Sequence, residues 1–124
     1  MDDMFYFNSK EVSLKDIKNI AEEIDAQEIF MTEAQDALQI TYCDGTRTDW
    51  VNMGLEEFPD SDAIAFLTQN KIRVVFCISY HPVYLQSLKT HIVRILEKYG
   101  GLIGMDSDGF YPYYDLTNID SFVY

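Results

Sequence analysis

A chain of 124 residues has the length of one domain, and with 48 % hydrophobic and 15 % aromatic residues it can bury a core without disulfide or metal staples. Its net charge of −12 argues against a surface made for phosphate backbones or anionic lipid. The imbalance lies in the first half: residues 1–62 carry sixteen acids against Lys10, Lys15, Lys18 and Arg47, whereas residues 63–124 carry five of each sign.

The opening MDDMFYFNS has neither a basic stretch nor a long apolar one, so it does not read as a signal peptide. FYF, residues 5–7, predicts a first strand. Ser13 with Asp16 three positions on forms a capping-box pattern. Leu14, Ile17, Ile20, Ala21 and Ile24 then recur at helical spacing, predicting an amphipathic helix that ends near Ala26. Residues 28–31 predict a strand. Residues 37–42 and 46–53 alternate around CDGT, where Asp44-Gly45 is the dipeptide preferred by two-residue hairpin turns. Residues 54–60 read as loop, and Pro59, Asp60 and Ser61 introduce a short helix to about Gln69 with Ile64 and Leu67 facing inward.

IRVVFCIS, residues 72–79, is apolar at nearly every position, as a central strand covered on both faces must be. Its apolar run, 74–78, is far too short to span a bilayer. Pro82 suits a first helical turn, and Leu85, Leu88, Ile92, Ile95, Leu96 and Tyr99 mark the longest helix, with Gly100 where a left-handed C-terminal cap is needed. LIGM and FYPYY give two more strands, and Pro112 places the last at a sheet edge. The order β-α-β-β-β-α-β-α-β-β clusters strands in hairpins, which predicts a single α+β domain over residues 1–124. A mainly antiparallel mixed sheet with about three helices packed on it is expected.

Three stretches invite a chemical reading. In GMDSDGF, placing Gly109 at the sixth position of a calcium loop puts Asp106 and Asp108 at the third and fifth. Gly104 at the first and Asp115 at the twelfth then fail as ligands. The expectation is a turn, with Asp108-Gly109 joining residues 102–105 to 110–114 as a type I′ hairpin, and no metal. In CISYH, Cys77, Ser79 and His81 share one strand face at the end of a central strand, where a nucleophile beside a base is conceivable. Cα atoms two apart are nevertheless separated by about 6.6 Å, awkward for a direct Ser–His bond. His91, in mid-helix, reads as a partly exposed helix residue. Tyr6, Tyr111, Tyr113, Tyr114, Phe122 and Tyr124 gather at the two chain ends, a composition found at protein interfaces, although about half of these rings should face a core. Cys43 and Cys77 fit no metal spacing and are expected as thiols in a reducing cytosol. No phosphate loop or zinc pattern occurs, so no catalytic residue and no cofactor is assigned.

A compact, acidic, tyrosine-rich α+β chain of this kind resembles the immunity proteins of bacterial polymorphic toxin systems. The run LEKYGGLIGMDSDGF, residues 96–110, is similar to the helix, Gly-Gly and Asp-containing hairpin of small bacterial families. The resemblance implies an inhibitory binding partner role for a cytoplasmic protein. The charge independently points to a basic protein partner, recognised through Glu22, Glu23, Asp25, Glu56, Glu57, Asp60 and Asp62, with neither nucleic acid nor membrane as partner. The competing readings are a solubilising surface, or a small enzyme or ligand-binding domain with a pocket at Cys77, Ser79 and His81. Oligomeric state is not legible.

Overall fold

The fold is built on seven strands and three α-helices. In chain order they are β1 (Asp2–Asn8), α1 (Leu14–Glu23), β2 (Glu28–Met31), β3 (Ala37–Thr41), β4 (Arg47–Met53), α2 (Ser61–Gln69), β5 (Val74–Tyr80), α3 (Gln86–Tyr99), β6 (Leu102–Met105) and β7 (Tyr113–Tyr114). Short 3-10 turns lie at Leu55–Glu57 and Asp108–Phe110. This computed structural model describes every residue except 1, 25, 59, 82–85, 107 and 120–124. The class is α+β, in the predicted element order. The sheet runs β2-β3-β4-β5-β1-β6-β7, and each of its ladders is antiparallel rather than mixed.

Local chemistry sets the helix ends. Ser13 Oγ accepts from the Asp16 N–H, and the Asp16 carboxylate accepts from the Ser13 N–H, completing the capping box. Helix α1 ends at Glu23, slightly earlier than the spacing suggested. Gly100 takes the left-handed conformation (φ 75°) after α3, and its N–H bonds the Leu96 carbonyl. Pro82 and Leu85 lie outside the described residues.

Two cores lie on opposite faces of the sheet. Met4, Tyr6, Trp50, Phe76 and Ile78 pack with α1 and α3, while Phe5, Phe7 and Val75 pack with Ala63, Phe66 and Leu67 of α2 and with Phe110. Strand β1 lies in the middle of the sheet, between β5 and β6, where α1 and α3 cover one face and α2 with Phe110 the other, so its residues from Met4 onward are buried on both faces. Phe5, Tyr6 and Phe7 are therefore all interior, where alternation alone led to half of them. Tyr6 is thus no interface residue. Its hydroxyl donates to the Gly100 carbonyl at 2.6 Å and accepts from Asn8 Nδ2 at 2.8 Å, and burial pushes its pKa up to about 12.

Other expectations need correction. Ile64 is half exposed, because α2 turns Ala63 and Phe66 inward beside Leu67. The β3–β4 hairpin has a three-residue loop: the Tyr42 N–H bonds the Thr46 carbonyl, the Gly45 N–H bonds the Tyr42 carbonyl, and Gly45 sits at φ 88°. The dipeptide supplies the positive φ angle, but to a longer loop than the two-residue turn it usually marks. The stretch after β6 likewise is no tight hairpin. Gly104 pairs with Tyr113, and between them Gly109 (φ 65°) and Phe110 (φ 64°) wind a 3-10 turn that sends the Phe110 ring into the second core. Strand β7 is correspondingly short, and it does lie at the edge.

Gly109 is still a turn glycine. A Cβ there would stand 3.7 Å from the nearest atom, so the cost of a side chain is backbone strain alone. Gly109→Val is expected to destabilise by about 1–2 kcal/mol in a denaturant titration. Calcium should leave the melting temperature unchanged.

His91 is the largest departure. It is fully buried on the α3 stripe, with Nδ1 2.7 Å from the Tyr42 hydroxyl and Nε2 3.0 Å from the Ile17 carbonyl. A carbonyl only accepts, so Nε2 carries the hydrogen and Nδ1 accepts from Tyr42. Thr48 Oγ1 donates onward to Tyr42 at 3.4 Å, and Trp50 Nε1 donates to Thr48 at 2.8 Å. This chain of bonds ties β4, the β3–β4 hairpin, α3 and α1 together inside the first core.

Candidate functional site

Strand alternation fixes what the second face of the sheet presents. Helix α2 covers β1, β5 and β6 there, with Met53 at the end of β4 packed against the same core, and among the described residues no helix covers β2, β3 or the rest of β4. The cross-strand register aligns Phe30, Gln39, Asp49, Ser79 and Asp3 in one row over five strands. Ala37, Val51 and Cys77 form the next row. Phe30 is 63 % exposed and Val51 46 %, so this half-face offers apolar area to solvent. Its polar groups are ordered: Gln39 Nε2 donates to Asp49 Oδ1 at 3.1 Å, and Ser79 Oγ donates to Asp3 Oδ1 at 2.7 Å.

The acids singled out in the sequence divide between the two faces. Glu22 and Glu23 lie exposed at the end of α1, on the first-core side, and Glu22 pairs with Lys18 at 3.4 Å. Asp25 lies outside the described residues. Glu56, Glu57, Asp60 and Asp62 lie exposed on the other side, along the 3-10 turn after β4 and the start of α2. Glu57 Oε2 accepts from the Gly54 N–H at 2.6 Å, which fixes that turn. The structure therefore brings four of the seven together, and adds Asp49 and Asp3 on the same side. Asp49 was findable, since it alternates with the buried Trp50 along β4. Asp3 was not, because its face depends on which strands flank β1.

Cys77 and Ser79 do share the predicted face. Ser79, however, bonds Asp3 rather than a base, and His81 stands exposed just past the end of β5. Burial, then the charges of Asp3 and Asp106, push the Cys77 thiol up to about 11, which keeps it protonated and weakly nucleophilic at neutral pH. The three residues are thus not arranged as a nucleophile–base pair. Tyr111 is 70 % exposed beside the half-buried Tyr113, with ring centroids 5.8 Å apart, while Phe122 and Tyr124 lie outside the described residues.

Among the described residues no three His, Cys, Asp or Glu side chains converge as a metal site would need, and no helix is long and apolar enough to cross a membrane. No family model matches the chain, and comparison with curated proteins and with solved structures finds no match.

Proposed function

We propose that this chain is a cytoplasmic protein-binding domain, of the immunity or inhibitor kind, that docks a basic protein partner. The docking side is the one carrying α2. What supports the reading is the half-covered sheet face: exposed Phe30 lies in the same cross-strand row as Asp49, exposed Val51 lies two residues on from Asp49, and Glu56, Glu57, Asp60 and Asp62 follow in the chain. Apolar area rimmed by one sign of charge suits a partner of opposite sign, which the field draws in and the apolar rows then hold. A net charge of −12 disfavours a second copy of the chain as occupant. The enzyme reading gains no support from Ser79, whose hydroxyl is committed to Asp3.

A partner isolated on the immobilised chain should be basic. Reversing Glu56, Glu57, Asp60 and Asp62 to lysine should slow association by about tenfold or more at low salt, and the difference should shrink near about 0.5 M salt. Reversing Glu22 and Glu23, on the other side of the sheet, should change the rate far less. An association rate indifferent to the first set of reversals and to salt would reduce the acidic side to a solvated surface.

A further inference from the structure

We infer that the cleft between α2 and the β6–β7 edge is a receptor for a guanidinium group, the arginine side chain of the basic partner. The inference rests on the docking role proposed above and gives that partner a point of attachment. The cleft, of about 470 Å3, is lined by Asp62, Phe66, Gln69, Asn70, Leu102 and Tyr113 among others. Its polar groups are one carboxylate, two side-chain amides that can each accept through their oxygen, and a tyrosine hydroxyl. The Asp62 carboxylate has no hydrogen-bond or ion-pair partner among the described residues. Asn70 spends its Nδ2 on the Phe66 carbonyl at 2.9 Å, which leaves its Oδ1 as an acceptor. The Tyr113 hydroxyl donates to the Gly109 carbonyl and keeps lone pairs to spare.

Apolar contact comes from Leu102 and from the Phe66 and Tyr113 rings, stacked 4.7 Å apart at 17°. Among the described residues no basic side chain lines the cleft. A site with one unpaired carboxylate, several neutral acceptors and aromatic walls complements a planar cation rich in donors. A guanidinium brings five N–H donors in a fixed plane and packs well against aromatic rings, whereas an ammonium brings three donors and a tighter hydration shell. Anionic ligands are repelled by Asp62. The same aspartate belongs to the acidic group on the docking side, so an arginine steered there meets the cleft at its rim.

The test is a titration of the full chain with N-acetyl-arginine amide, followed by amide chemical shifts, with the neutral citrulline analogue as control. Shifts should concentrate at Asp62, Gln69, Asn70, Leu102 and Tyr113. The citrulline analogue and the Asp62→Asn variant should each bind about tenfold or more weakly. Gln69→Lys, which places a cation of the chain's own at the exposed rim, should block the site while the melting temperature shows the fold intact. Shifts scattered over all acidic surfaces, or an Asp62→Asn variant that titrates like the parent, would overturn the assignment. If the cleft fails in this way but the four charge reversals still slow the partner, the docking role stands and only the arginine receptor falls. If free arginine seats here and the partner ignores the reversals, Asp62 among them, the docking role falls and the partner's arginine falls with it as the occupant, leaving a guanidinium site alone.

Discussion

Gly101→Ala is expected to cost about 4 kcal/mol of stability, while Gly100→Ala, one residue earlier, costs only about 1. Both glycines have positive φ angles, 75° at Gly100 and 100° at Gly101. At Gly100 an added Cβ meets nothing within 4 Å, so the cost is the left-handed backbone alone. At Gly101 the Cβ would stand 2.5 Å from the Phe7 carbonyl oxygen and 2.9 Å from the Tyr6 ring and hydroxyl. Neither can give way. Phe7 is main chain of a strand paired on both sides, and the Tyr6 hydroxyl is bonded to Gly100 and Asn8. Denaturant midpoints of the two variants check the contrast, and equal losses would show that β1 can shift away from the α3–β6 junction.

Acidification should remove about 3 kcal/mol of stability through His91 alone. Burial is the main cause that takes its pKa from an ordinary 6.5 down to about 4, with the bond to Ile17 acting weakly the other way. Among the described residues the groups bonded or packed on the ring are the Ile17 carbonyl from α1, the Tyr42 hydroxyl, the Trp50 ring and, through Tyr42, Thr48, none of them a carboxylate. A proton on Nδ1 would therefore be buried without a counter-charge and would break the bond from Tyr42. The folded value lies below the unfolded one, so the contribution is complete above about pH 6.5. It declines as the unfolded chain takes up the proton, and has gone by about pH 4. About 2 kcal/mol should be lost already between pH 7 and pH 5, before most carboxylates titrate. His91→Phe should be less stable at neutral pH, since it strands the Tyr42 hydroxyl, but should lack this slope. Parallel stability curves for the two proteins would refute the assignment.

Much of the architecture can be read from residue spacing. Ser13 with Asp16 marks the start of α1, and the uninterrupted apolar run of β5 announces a central strand. Both signals are local and no distant packing overrides them. His91 was legible too: with Leu88, Ile92 and Ile95 it occupies the same helical stripe, and only the general habits of histidine argued for exposure. What spacing could not supply is strand order. The position of β1 decides that the FYF rings are all interior and that Asp3 joins Asp49 on one face. It also decides that Glu22 and Glu23 look away from Glu56 and Glu57. The inward side of α2 depends on distant packing in the same way: Phe66 goes where Phe5, Phe7 and Phe110 already gather, leaving Ile64 to solvent. The acidic surface was visible as a composition, and its division into two came only with the sheet.

The place of β1 has a kinetic meaning as well. Strands β2 to β5 lie side by side in the order in which they occur along the chain, and β6 adjoins β7 in the same way, so each group can form from neighbours in sequence. Strand β1 is the piece between them, pairing Asp2 with Tyr80 on one edge and Met4 with Met105 on the other. Closing those long loops is slower than pairing neighbours in sequence, so β1 is expected to join the sheet after the two groups have formed. Strand exchange at high concentration, and rescue of a β1-deleted chain by a β1 peptide, are therefore expected outcomes of this topology, which size-exclusion and complementation measurements check.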